Sequence, residues 1–176
     1  MARINYFDPA TAPQHIITAL AGKRKINIFK MIANSEGAGA ETLALGQRLS
    51  HGTSLDLVDR EVVILRVGHL SGAAYEIKQH TAVARRIGLS DEQIRAIGEY
   101  PKTDFAFTDA EKDLIAFTDS VVHDTTPPED NFRRVEARYD RSQLVELVLL
   151  IGFYMMISRV MNTFEIDLES GSAESF

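Results

Sequence analysis

Three ionisable residues on otherwise apolar helical stretches are placed to do chemistry: Glu61, Glu76 and His80. In the stretch SGAAYEIKQH, Ser71 to His80, Glu76 and His80 are four apart and therefore share one helix face, with Ala73 a turn earlier and Ala84 a turn later. Small residues on both sides leave room for a ligand, and a carboxylate beside an imidazole is an acid–base pair. The competing reading is a solvated surface pair contributing about a few tenths of a kcal/mol, and helical spacing does not choose between them. Glu61 precedes the apolar run VVIL, and Arg60 beside it points roughly 100° away by helical geometry. It is either a site carboxylate or an ordinary first-turn glutamate favoured by the helix dipole.

A metal is the other chemistry that a histidine and a carboxylate four apart could serve. No HExxH occurs, and a lone E-x-x-x-H is a weak pattern. His69 lies eleven residues before His80, about 16 Å away on a continuous helix, so only a sharp turn at Gly72 would bring the two together. No metal is expected. Cysteine is absent, which excludes disulfides, thiolate metal sites and thiol redox chemistry within the chain.

The elements that must position these residues read as helices almost throughout, and alternation of the strand kind is hard to find. The expectation is an all-α protein of about eight or nine helices. Patterns run from about Gln14 to Ala21, Lys25 to Ala33, Ala40 to Leu49 and Leu55 to Leu70. A break at Ser71 and Gly72 starts a fifth helix that runs to Ile87 and stops at Gly88, a residue suited to left-handed geometry. Capping boxes, Ser90 with Gln93 and Thr108 with Glu111, mark two further starts. Pro101 ends the sixth helix, HDTTPPED separates the seventh from one over about Glu129 to Tyr139, and the last covers about Ser142 to Glu165.

At 176 residues, with 45% hydrophobic and 25% charged content, the chain fits one compact domain over 1–176, with an irregular N-terminus over 1–13 and a fraying tail over about 169–176. A net charge of −6 and basic clusters no longer than Lys23, Arg24 and Lys25 argue against nucleic acid. The N-terminus lacks the apolar core of a signal peptide, which points to the cytoplasm. The longest uncharged run, LVLLIGFYMMIS, is shorter than the roughly 18 apolar residues of a membrane span and reads as a helix buried on nearly all sides.

DREVVILRVGHLSGAAYEIKQHTAVARRIGLSDEQIRAI resembles the core segment of the carboxymuconolactone decarboxylase family, which includes the alkylhydroperoxidase-D-like proteins, and VELVLLIGFYMMISRVMNTFEIDL is similar to that family's final helix. The resemblance implies an alkylhydroperoxidase-D-like helical bundle with its core motif over about 55–88. The peroxidase branch carries a glutamate, a CxxC pair and a histidine at spacings that fall here on Glu61, Ala73, Glu76 and His80. The acid and the imidazole are kept and both sulfurs are missing. A family label of peroxiredoxin activity would therefore fail for these residues, since a thiolate must attack the peroxide.

The thiol-free branch resembles the decarboxylase that removes CO2 from a carboxylated muconolactone, a reaction of aromatic catabolism that asks for no cofactor. It implies a small-molecule substrate and a homo-oligomer, a trimer or hexamer. In that reading His80, with an unperturbed pKa near 6.5, delivers a proton to carbon while Glu76 or Glu61 orients it. Substrate-binding candidates are Tyr75, if its hydroxyl turns inward, Arg159, which could equally form an interhelix or intersubunit ion pair, and His69. A non-catalytic binding or assembly protein that keeps the fold is the alternative, and a metal-dependent hydrolase is a third.

Overall fold

Nine α-helices and no strand make up the regular structure of the described residues, 1–169, in a computed structural model of the chain. They are α1 (Gln14–Leu20), α2 (Asn27–Ile32), α3 (Gly39–His51), α4 (Leu57–Leu70), α5 (Ala74–Arg86), α6 (Asp91–Glu99), α7 (Asp109–Asp124), α8 (Glu129–Glu136) and α9 (Arg141–Phe164). The chain divides into two compact units, one of residues 1–52 with the segment from Val160, the other of Thr53–Arg159. The tail expected to fray lies, from residue 170 on, outside the described residues.

In the first unit α1 and α2 pack on α3, burying Ile16, Leu20, Ile28, Met31 and Leu43. The irregular N-terminus is tied down: Arg3 N–H donates to the Phe164 carbonyl at 2.9 Å, and the Tyr6 hydroxyl donates to Asp167 Oδ2 at 3.2 Å.

The second unit is organised around α4. Every residue from Arg60 to Gly68 is buried, because α5, α6 and α7 all pack against this helix. Such a helix needs an apolar surface all round, which VVIL supplies, and a partner for each charge it carries. Arg66 has its partners: Nε and Nη2 form a fork on the two oxygens of Asp119 on α7, at 2.5 and 2.8 Å. Its Nη1 donates to the Ile97 carbonyl at 2.9 Å, closing the last turn of α6. The start of α4 is fixed by Asp56, whose side chain accepts from the Val58 and Asp59 amides. Asp59 in turn accepts the Tyr139 hydroxyl at 2.6 Å. Tyr139 lies past the end of α8, which stops at Glu136 rather than running to Tyr139.

Two helix ends share one design. After α4 the Gly72 amide donates to the His69 carbonyl and the Ala73 amide to the Gly68 carbonyl; after α5 Gly88 and Leu89 donate to Arg85 and Ala84 in the same way. These are Schellman ends, and they need a left-handed residue, here Gly72 at φ +60° and Gly88 at φ +105°. Of the two expected capping boxes only Thr108 with Glu111 is reciprocal. Ser90 accepts from the Gln93 amide, but the Gln93 side chain donates to Glu111 Oε1 at 2.8 Å, an ionised acceptor in place of a backbone partner.

One expectation is overturned. Residues 141–159 of α9 bury one face, with Leu147, Leu150, Ile151, Tyr154 and Ile157, and expose another. Val145, Val148, Leu149 and Met156 are 42–57% exposed, so this helix is not buried on nearly all sides. The polar residues of the run, Tyr154 and Ser158, are both buried, so none marks the outer face. By length and composition alone α9 could also cross a membrane.

No heavy atom lies near the position of a Cβ at Gly72, so Gly72→Ala tests backbone strain alone. It should lower stability by about 1–2 kcal/mol, read as a shift in the urea midpoint at unchanged slope.

Candidate active site

The corner between α4 and α5 brings the sequence candidates together. A Schellman end that passes into a new helix at Ala74 folds α5 back onto α4, and the lack of a side chain at Gly68 permits the contact. A Cβ there would meet Ile77 Cγ1 at 3.3 Å and the Glu76 side chain at 3.7 Å. Glu76 stands in the first turn of α5, where the helix dipole favours a carboxylate. Glu61 lies beyond the first turn of α4, whose acidic residue is Asp59, so the dipole does not account for it.

Both carboxylates point at one imidazole. His80 Nδ1 is 2.6 Å from Glu61 Oε2, and Nε2 is 2.9 Å from Glu76 Oε1. Glu61 and Glu76 are only 2% and 3% exposed, and the His80 side chain 17%, so this is no solvated surface pair. Two carboxylate acceptors, one at each nitrogen, require two N–H donors, which describes an imidazolium. Burial alone would pull the His80 pKa down; the Glu76 charge and the hydrogen bonds to Glu61 and Glu76 outweigh it and raise the pKa to about 10. The two glutamates thus shift the imidazole well above its unperturbed value near 6.5. The group is fully protonated at neutrality because its charge is matched on both sides.

Two residues at the site escape sequence reasoning. Tyr154 of α9 meets His80 edge to face, with ring centroids 5.2 Å apart. Nothing in LVLLIGFYMMIS distinguishes it from a core aromatic. Arg60 is the other: it is 8% exposed, and its Nε approaches Glu61 Oε1 only to 4.0 Å.

The substrate-binding candidates lie as follows. Tyr75 is buried in the core at 5% exposure. His69 is half-buried with its ring against Gly98 of α6, where burial and the Arg66 charge lower its pKa. Arg159 is exposed and folds back on its own helix, Nη1 donating to the Met155 carbonyl at 2.8 Å. Among the described residues no group of three or more histidines and carboxylates is arranged to hold a metal ion.

The fold is that of the alkylhydroperoxidase-D-like helical proteins. An uncharacterised peroxidase-related protein from Ralstonia eutropha JMP134, with an alkylhydroperoxidase AhpD core, superposes with a TM-score of 0.80 at 17% identity, covering 96% of this chain and 93% of that one. A putative antioxidant defence protein AhpD from Agrobacterium tumefaciens gives 0.69 at 22% identity, over 84% and 100%. The debrominase Bmp8 gives 0.75 at 13% identity, over 96% and 92%. In sequence, the uncharacterised protein YdfG of Bacillus subtilis (strain 168) is 27% identical over 108 residues, 60% of this chain and 73% of that one. Residues 38–120 match the Carboxymuconolactone decarboxylase family. The sequence holds no cysteine.

The pH dependence of stability follows from His80. Its folded pKa of about 10 stands above the unfolded value near 6.5, so its contribution is complete below pH 6.5 and is lost as pH rises through about 10. Thermal melts by circular dichroism should show the midpoint of the native chain falling between pH 7 and 10 more steeply than that of His80→Gln. Parallel curves would show that His80 is not an imidazolium in the folded state.

Proposed function

We propose that the chain is a cofactor-independent enzyme that moves a proton onto a small organic acid, with loss of CO2 from a carboxylated lactone or a related vinylogous or β-keto acid as its reaction. The observation that supports this reading is the imidazolium of His80 held between two buried carboxylates, one of which, Glu76, stands at a position that carries a thiol in the peroxidase branch.

Decarboxylation breaks the bond to the carboxylate carbon and leaves its electron pair in the lactone as a dienolate. That carbanion must then take a proton. A histidine with a pKa of about 10 is always charged at neutrality, and protonating a far more basic carbon is downhill for it. The Nε2 proton lies in the bond to Glu76, so proton delivery runs along the Nε2–Glu76 edge, while Glu61 holds Nδ1 and fixes the ring. After transfer a neutral imidazole remains between two carboxylates, an arrangement that draws a proton back from water and resets the site.

The exposed apolar stripe of Val145, Val148, Leu149 and Met156 supports the accompanying proposal of a homo-oligomer, a trimer or hexamer. The net charge of −6 supports a chain without a nucleic-acid partner, and action in the cytoplasm is part of the same proposal.

A non-catalytic reading is favoured by one feature: both ring nitrogens are already bonded, so the trio could serve only as a buried clamp joining α4 to α5. Assay separates the two. CO2 release from a panel of carboxylated lactones and β-keto acids should give one substrate whose kcat/KM is flat across neutrality and falls as pH approaches about 10. Glu76→Gln, which keeps volume and helix, should lower kcat by roughly a hundredfold or more. Absence of CO2 release across the panel, or an unchanged rate in Glu76→Gln, would leave the clamp.

A further inference from the structure

The first unit contains a cavity of about 340 Å³, lined by Phe7, Pro9, Ile17, Leu20, Ala21 and Lys25. None of these residues belongs to the His80 site. Three short pieces of chain build the walls. Ile17, Leu20 and Ala21 are three and four apart and so share one face of α1 and its end. The second wall is the N-terminal segment. It is held by the Phe7 amide, which donates to the Lys30 carbonyl at 3.2 Å, and by a turn in which the Ala10 amide donates to Asp8 Oδ1 at 2.9 Å. Lys25 forms the third side, brought round by the left-handed turn at Gly22, φ +74°.

The lining says what would fill this space. Pro9, Ile17 and Ala21 are exposed and Phe7 is half-buried, so the apolar wall stands open to water instead of closing over as core. Five of the six lining residues are apolar, and the sixth is a cation. A lysine in such a wall offers its aliphatic stem to the apolar side and keeps its ammonium at the rim. Lys23 and Arg24 precede it, which makes this edge basic in a chain of net charge −6. The carboxylate that comes next to the walls in sequence, Asp8, is exposed, is not among the lining residues and already accepts the Ala10 amide.

We propose that this cavity is a ligand site in its own right and that it takes a small apolar monocarboxylate, with the apolar body between Phe7, Pro9 and α1 and the acid on Lys25. At about 30 Å³ for each atom-sized volume, the space holds roughly eleven non-hydrogen atoms. An ammonium has three N–H donors, so Lys25 can receive the acid beside any contact it already makes. A second carboxylate on the ligand would be pressed against the apolar wall without a partner, which selects for one charge. The inference rests on these walls and not on the proton-transfer reading.

Calorimetric titration of the full chain with 4-phenylbutanoate, 4-phenylbutanamide and 4-phenylbutylammonium tests it. The acid should bind with a dissociation constant of about 0.1–1 mM, the range for a ligand of this size. The amide should bind about fivefold more weakly and the ammonium ion more weakly again. Lys25→Met, which keeps the stem, should bring the acid to the level of the amide, and Lys25→Arg should restore it. Ala21→Phe fills the cavity at an exposed position just past α1 and should abolish binding of all three probes. Ile17→Trp, on the exposed side of α1, serves as the filling variant if circular dichroism shows that Ala21→Phe does not fold. The proposal is overturned by the absence of saturable heat with the acid up to about 10 mM, or by equal binding of acid and ammonium ion. Acid binding that survives in a folded filling variant and disappears in Glu76→Gln would place the acid at His80 and overturn it as well. So would a filling variant whose oligomeric state, measured by light scattering, differs from the native one, because the cavity would then seat a neighbouring copy.

Discussion

Two glutamates buried within reach of one imidazole set a charge problem that the second unit of this protein is arranged to solve. Either carboxylate alone, taken out of water, would have to be protonated or be paired. With His80 between them they form one bonded group, and the cation is held by both. The distances of 2.6 and 2.9 Å exist only because α5 returns against α4 immediately after Gly72, and α4 can accept it only because α6 and α7 complete its other sides. The ion triad and the helix packing are therefore one constraint: removal of His80 would leave two buried negative charges facing each other, a change that commonly costs about 3–5 kcal/mol.

The same constraint shifts the chemical character of the histidine. An imidazole with one orienting carboxylate and one free nitrogen cycles near neutrality, as general bases do. Here the second nitrogen also has a carboxylate, so the ring is a permanent cation and a store of one proton. The Nε2 side of the ring faces Glu76, and Tyr154 packs against the ring. A site of this kind can give a proton to a strongly basic carbon and recover it from solvent, but it has no means of abstracting a proton at neutral pH until it has first given one up.

Helix order, the glycine end at Gly88 and the pairing of Glu76 with His80 were legible in the sequence because each depends on local spacing; Gly72 read only as a break, and Glu61 joined the pair through the family resemblance rather than through spacing along one helix. What the sequence hid depends on neighbours brought from a distance. The proton affinity of His80 follows from two distances, one of them across a corner. The outward face of α9 was invisible because the polar residues of LVLLIGFYMMIS, Tyr154 and Ser158, lie on the half that packs, and the half that does not is apolar. Arg60 and Arg66 look alike in REVVILR; Asp119, fifty-three residues after Arg66, forks with that one, whereas the Nε of Arg60 makes no hydrogen bond. His69 read as a ligand-side group and instead packs on Gly98, a contact no motif announces.

The α4–α5 corner also bears on how such a chain can vary. Each residue added to a helix turns everything beyond it by about 100°. A single insertion between Gly68 and Ala74 would therefore swing His80 off the line to Glu61 while leaving every side chain intact. A substitution at Ala73, where a sulfur stands in the peroxidase branch, changes the chemistry and leaves that line alone. The corner thus fixes its length and its two glycines, Gly68 and Gly72, while a change of side chain at Ala73 requires no rearrangement of helices.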